Sequence, residues 1–200
     1  MKKALAGLAL LAAGPAAQAT GVDLALGNET ANIAVIFNPY QFYAGGGSEL
    51  ALGAFTSEAG DRLAHATLLA RGYRQSGESL YSLGAGIRAV YGELEIAEEI
   101  VIDEEDTEQV GALGLGIQAG VLLSRSRSTP VEFIGEAFMA PSIASFTDAE
   151  RYVELTARLQ VEVIPQARVY LGYRRLSFDT NDYDSLNIDS GFHAGLKVTF

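Results

Sequence analysis

The chain has 200 residues, with 14 Lys+Arg against 25 Asp+Glu and a formal net charge of −11. This acidic balance excludes a general nucleic-acid binder, which would carry a basic stripe. With no cysteine and only two well-separated histidines, His65 and His193, neither a disulfide framework, a thiolate site nor a His-rich metal site is expected, and no cofactor is implied.

In chain order, Met1-Lys2-Lys3 is a short basic segment, and residues 4–13 form an apolar run broken by Gly14-Pro15. Ala17-Gln18-Ala19 then supplies an A-x-A site, so residues 1–19 read as a Sec signal peptide cleaved after Ala19. A ten-residue run is too short for a spanning helix, which needs about 20 apolar residues. No Cys follows the site, so a lipoprotein signal is excluded. Residues 20–200 are expected to form one domain.

Beyond the signal, the dominant pattern has a period of two, the signature of strands. Val22, Leu24 and Leu26 run into the turn Gly27-Asn28-Glu29, and Ala31, Ile33, Val35 and Phe37 run out of it. A hairpin turns at Glu58-Ala59-Gly60-Asp61. Leu83, Ala85, Ile87, Ala89 and Tyr91 alternate with Gly84, Gly86, Arg88, Val90 and Gly92, and similar alternation follows over 109–122 and 130–139. The clearest strand is 152–163, with apolar Val153, Leu155, Ala157, Leu159, Val161 and Val163 against Tyr152, Glu154, Thr156, Arg158, Gln160 and Glu162. Ile164-Pro165-Gln166 turns the chain into an equally regular partner. The expected strands are 21–27, 30–37, 48–56, 61–70, 79–92, 109–122, 130–139, 150–163, 167–178 and 189–200. They number ten, or eight if the first hairpin stays outside the wall.

Alternation alone fits a soluble β-sandwich as well as a membrane barrel. Strand length favours the barrel: the later strands run 10–14 residues, whereas soluble strands cluster near 5–6 and membrane strands need about 9–11. The polar faces are rich in glycine, which suits a narrow lumen. The alternation ends on the aromatic Phe200, resembling the signal read by the outer-membrane barrel assembly machinery. The expected fold is therefore an all-β, antiparallel transmembrane barrel. The segments 93–108, 140–149 and 180–189 are long and fall at one end, while 124–129 and 164–166 are short and fall at the other, as in outer-membrane barrels. The segment 38–47 is long for the short end.

The segment from Asp148 to Leu176, with its turn Ile164-Pro165-Gln166, resembles the YfaZ family of small outer-membrane proteins. The ending from Gly191 to Phe200 and the opening from Val22 to Ala31 are similar to the family as well. The resemblance implies a small barrel in the cell outer membrane. It carries over no catalytic or ligand-binding residue.

The candidate functional residues are inward charges. A hairpin symmetric about Pro165 sets residue i opposite 330 − i, so Glu162 faces Arg168, Gln160 faces Tyr170 and Thr156 faces Arg174. Arg158 lies between Glu154 and Glu162 on its own face, and Arg88 and Glu136 can join from other walls. An isolated buried charge costs several kcal/mol, so such charges must pair. The expected result is an ion-paired lumen formed by Arg88, Glu136, Glu154, Arg158, Glu162, Arg168 and Arg174, either closed or narrowly open. The segment 93–108 holds nine carboxylates but lacks calcium-loop spacing, and is expected to be a solvated surface loop. His193 has Ser190 three residues away on the opposite pleat, His65 has no serine nearby, and no Gly-x-Ser-x-Gly elbow is present, so no catalytic site is expected. The expected role is structural or that of a restricted pore, in a monomer whose partners are outer-membrane lipid, lipopolysaccharide and the assembly machinery. The competing functions are a lipid-modifying enzyme and a soluble periplasmic β-sandwich binding protein.

Overall fold

The computed structural model describes residues 20–42, 46–76, 79–95, 107–124, 129–183 and 185–200. The expected signal segment 1–19 with its cleavage at Ala19, most of the acidic segment 93–108 and the turn residues 125–128 lie outside the described residues.

Among the described residues the strands are β1 (Gly21–Gly27), β2 (Thr30–Phe42), β3 (Gly46–Ser57), β4 (Arg62–Ser76), β5 (Ser79–Glu95), β6 (Thr107–Ser124), β7 (Val131–Ala140), β8 (Ser145–Thr147), β9 (Ala149–Ile164), β10 (Ala167–Thr180) and β11 (Leu186–Thr199). They contain no α-helix, only a 3-10 turn at Ser142–Ala144. Every ladder is antiparallel. β1 to β7 pair in succession, followed by β7 with β9, β9 with β10 and β10 with β11. β11 then returns to β1, from Gly21↔Thr199 to Gly27↔His193. The ten long strands close a ring, and closure leaves no unpaired sheet edge. The first hairpin is part of the wall, which corrects the eight-strand count. One sheet closing on itself also excludes the β-sandwich. The three-residue β8, absent from the expected strands, continues the ladder along β6 beyond the end of β7, with Ala112↔Ser145 and Val110↔Thr147.

Strand faces follow the alternation. On β9, Leu155, Leu159 and Val163 are exposed, whereas Tyr152 and Gln160 are buried. The same division puts Leu83 and Ile87 of β5, Leu115 and Ile117 of β6, Leu171 of β10 and Phe192 of β11 outside, where they are exposed. Apolar residues therefore cover the outer surface and most charges turn inward. Outward charges such as Glu93 and Arg151 stand toward the strand ends, and Arg175 stands in the half of β10 nearer the long connections.

The segment 38–47 differs from the sequence expectation. β2 runs on to Phe42 and β3 begins at Gly46, so only 43–45 join them. Asn38-Pro39 breaks the hydrophobic pattern without ending the strand. Proline removes one ladder donor, and the register shifts between Phe37 and Tyr40 to accommodate it. One end of the barrel thus carries the connections 43–45, 77–78, 125–130 and 165–166, and the other carries 28–29, 58–61, 96–106, 141–148 and 181–185.

The inward glycines have a packing role. Gly195 sits opposite Tyr170 in register, Gly116 opposite Phe138, Gly53 opposite His65 and Gly172 opposite His193. In each case a large ring of one strand lies across the bare backbone of the next, so a Cβ at Gly195 would meet the Tyr170 ring. Gly195→Val is expected to cost about 1–3 kcal/mol through overpacking. Urea unfolding of the folded protein in detergent checks this; an unchanged midpoint would show that the ring can move aside.

Candidate functional site: the barrel interior

The interior has three levels along the barrel axis. The middle level is a belt of charge. Arg88 on β5 pairs with Glu154 on β9 across the lumen, and its Nε donates to Thr67 Oγ1 at 2.8 Å. Arg158 on β9 lies 3.4 Å from Glu136 on β7 and 3.8 Å from Asp23 on β1. Gln118 Nε2 donates to Glu136 at 2.7 Å, and the Tyr170 hydroxyl donates to Asp23 at 2.5 Å. Arg174 Nε donates to Asp189 at 2.6 Å, and Lys197 Nζ meets both Glu49 oxygens at 3.0 and 2.8 Å. The belt surrounds a cavity of ≈ 120 Å³.

Toward the long-connection end the inward side chains become apolar. Phe55, Leu63, Val90, Leu94, Val110, Phe138, Tyr152, Leu176 and Phe178 form one buried cluster, against which Ala144 of the 3-10 turn packs. The Tyr152 and Phe178 rings lie 5.1 Å apart. Belt and cluster are joined. The Tyr152 hydroxyl donates to Glu154, the Arg88 guanidinium lies 4.3 Å from the Phe138 ring centroid, and that of Arg174 lies 4.8 Å from Phe55. A guanidinium over an aromatic face is held by the ring quadrupole as well as by its carboxylate.

Toward the short-connection end, Arg168 Nε and Nη2 both donate to Glu162 at 3.1 and 3.0 Å, and Gln160 Nε2 donates to Glu132 at 2.7 Å. The side chains of Arg168 and Glu162 are 42 % and 25 % exposed, against 13 % for Arg88, Glu154 and Arg158.

All seven charged residues singled out in the sequence face the interior. The hairpin register is the symmetric one, with Arg168↔Glu162, Tyr170↔Gln160 and Arg174↔Thr156. Only the Arg168–Glu162 pair joins two of them across that hairpin. Arg158 does not pair with Glu154 or Glu162. Those residues stand four positions along its own strand, about 13 Å away at roughly 3.3 Å per residue, whereas Glu136 lies on the neighbouring strand β7, two positions from Ile134, the register partner of Arg158, and Asp23 reaches it from β1. Sequence reasoning missed Asp23, Glu49, Asp189 and Lys197, which complete the belt. It also missed the apolar cluster, although Val90, Phe138, Leu176 and Phe178 occupy the polar register of their strands.

The histidines are spoken for by packing. His65 Nε2 lies 2.9 Å from Asn32 Oδ1, and His193 stacks edge-on to Tyr170 at 5.9 Å. Ser190 faces the other way, its Oγ 2.8 Å from the exposed Tyr173 hydroxyl. Phe200 is exposed on the outward register of β11, and its backbone N–H donates to Thr20 at 2.9 Å.

A family model described as YfaZ precursor matches residues 97–200, the half of the chain that builds β6 to β11. The match begins inside the acidic segment, and the opening hairpin lies outside it. No curated protein matches the chain. With more than half its residues matched, and with those residues forming one continuous side of a closed barrel, the chain belongs to the YfaZ precursor family.

Proposed function

We propose that this protein is an exported outer-membrane barrel whose lumen is closed by its own side chains, with a structural or tightly restricted pore role and no catalytic site. One observation carries the membrane assignment. Val121 of β6 is flanked in register by Tyr81 of β5 and Phe133 of β7, and Gly111 is flanked by Tyr91 of β5 and Phe146 of β8. These four aromatics are exposed on the outer face. The two aromatic levels stand ten positions apart on both β5 (81 to 91) and β6 (111 to 121). At about 3.3 Å per residue that is roughly 33 Å along the strand. A tilt of about 35–45° reduces it to about 25 Å, the height of the apolar band between aromatic girdles in outer-membrane barrels. Between the levels, the outward residues of β5 and β6 are Leu83, Ala85, Ile87, Ala89, Leu113, Leu115, Ile117 and Ala119, none of them charged.

The orientation follows from the connections, with the longer ones outside the cell. Lipid and lipopolysaccharide are then the partners of the outer face, the assembly machinery is the partner in insertion, and the barrel stands as a monomer. The acidic segment lies on the outer side. The non-catalytic reading is supported by His65 bonding to Asn32 and by Ser190 and His193 facing opposite sides of the wall.

Fractionation and conductance test the proposal together. The protein is expected in outer membranes, with migration on gels that changes on heating, and near-silent in planar bilayers. Recovery as a soluble periplasmic protein would remove the membrane assignment, and large stable currents would replace the closed lumen with an open pore. Loss of a lipid modification on replacing His65 or His193 would make it an enzyme.

A further inference from the structure

We infer that the lumen is a blind aqueous chamber, entered from the short-connection mouth and sealed at the long-connection mouth by the apolar cluster. This rests on the closed-lumen reading and says which of the two interior levels forms the barrier.

Solvent access falls from the short-connection mouth to the cluster on the side of the barrel that carries Glu49 and Arg168, whereas Ser82, Ile134 and Gln160, toward the same mouth on β5, β7 and β9, are buried. At the short-connection end Arg168 is 42 % exposed, and on the short-connection side of the belt the side chain of Glu49 is 26 % exposed and that of its partner Lys197 9 %. In the belt Arg158 is 13 % exposed. In the cluster Leu94 is 1 % exposed, and Val110, Tyr152 and Phe178 are fully buried. The cluster roofs the cavity, whose lining includes Phe55, Phe138 and Tyr152 above and Glu49 and Ala51 nearer the open mouth.

The chemistry of the lining agrees. Among the described residues, four that line the cavity, His65, His193, Gln118 and Arg158, each carry a buried polar atom with no hydrogen-bond partner, namely Nδ1, Nδ1, Oε1 and Nε. Buried polar atoms are almost always paired, by water where protein is lacking. Four such atoms around one polar cavity mark a hydrated space. The cluster above presents only carbon surface toward it, apart from the Tyr152 hydroxyl, which is already committed to Glu154. Water is not held by such a layer, so the belt is wet from below and dry above. In the orientation proposed here the chamber opens to the periplasm. Removing belt charges alone leaves the apolar seal in place.

The chain contains no cysteine, so single cysteines can map the chamber. Ala51→Cys and Ala34→Cys place a thiol on the cavity lining. Ala112→Cys and Ala140→Cys place one in the seal. Each variant is purified in detergent, its folding is checked by heat-dependent migration, and it is treated with methyl methanethiosulfonate. Ala51→Cys is expected to react at least tenfold faster than either seal variant, with Ala34→Cys between. Seal positions reacting as fast as Ala51→Cys, or protection of all four, would overturn the inference. Those results leave bilayer silence untouched, whereas large wild-type currents would remove the closed lumen itself.

Discussion

Replacing Arg158 by Ala is expected to destabilise the barrel by about 3–5 kcal/mol, the usual cost of stranding a buried charge. Its guanidinium stands between Glu136 at 3.4 Å and Asp23 at 3.8 Å, with the Tyr170 ring centroid 5.3 Å away. Truncation leaves two carboxylates facing each other across a confined cavity, with no cation between them and room for too few waters to screen them as bulk solvent would. Lost packing is the smaller part of the cost, and a second variant separates the two. Arg158→Met combined with Asp23→Asn and Glu136→Gln removes the charges together, and because ion pairs bear a desolvation penalty, it should recover most of the loss. Arg168→Ala is the contrast. Its pair with Glu162 is more exposed and is worth about 0–1 kcal/mol. Urea unfolding in detergent reads all three. Equal midpoints for Arg158→Ala and Arg168→Ala would mean that the belt is hydrated like a surface.

The contrast between these arginines also shows what the sequence makes legible. Arg168 and Glu162 are two strand positions joined by the turn at 165–166, so local symmetry fixes their pairing. The same holds for the faces of β9 and β10, whose alternation has no exception over 153–163 and 167–174. Arg158 takes Glu136 from the neighbouring strand β7, whose register is not set by a tight turn, and Asp23 from β1, whose place across the lumen is set by the shear of the closed barrel; no local pattern encodes either. For the same reason Asp23, near the start of β1, and Lys197, near the end of β11, escaped notice as belt members. Asp23 is the one charge of β1, Lys197 shares β11 with Asp189 eight positions away, and the partner of each lies far along the chain. Lys197 meets Glu49 at a separation of 148 residues. The apolar seal left a fainter trace. Val90, Phe138, Leu176 and Phe178 sit on the inward register, where charge and glycine were expected, and all lie toward the same end of their strands. An apolar residue on the wet register is a local exception. Only strand direction, alternating around the ring, gathers these exceptions at one mouth.

Ala157→Arg is expected to cost about 2–4 kcal/mol, as for a cation on the lipid face at the bilayer midplane. Ala157 is exposed at the middle of β9, flanked in register by Gly135 of β7 and Tyr173 of β10. No carboxylate stands beside it on the outer face among these neighbours, and half the thickness of the apolar band exceeds the reach of an arginine stem. Were the outer face in water, the same change would stay within about 0.5 kcal/mol, as surface substitutions do. The magnitude therefore decides the solvent around the barrel, independently of any cell fractionation. Thr156→Arg supplies the comparison on the inner face. Thr156 lines the cavity and lies opposite Glu136 in register, so a new guanidinium there meets water and a carboxylate. Crowding beside Arg174 works against it, but the charge need not be desolvated, and the cost should be the smaller of the two. Ala157→Leu, which adds bulk to the outer face without charge, should be nearly neutral in lipid. Refolding into vesicles and unfolding by urea measures all three. Equal losses for Ala157→Arg and Thr156→Arg would refute the assignment of faces, and a loss for Ala157→Leu as large as for Ala157→Arg would make the penalty steric rather than electrostatic.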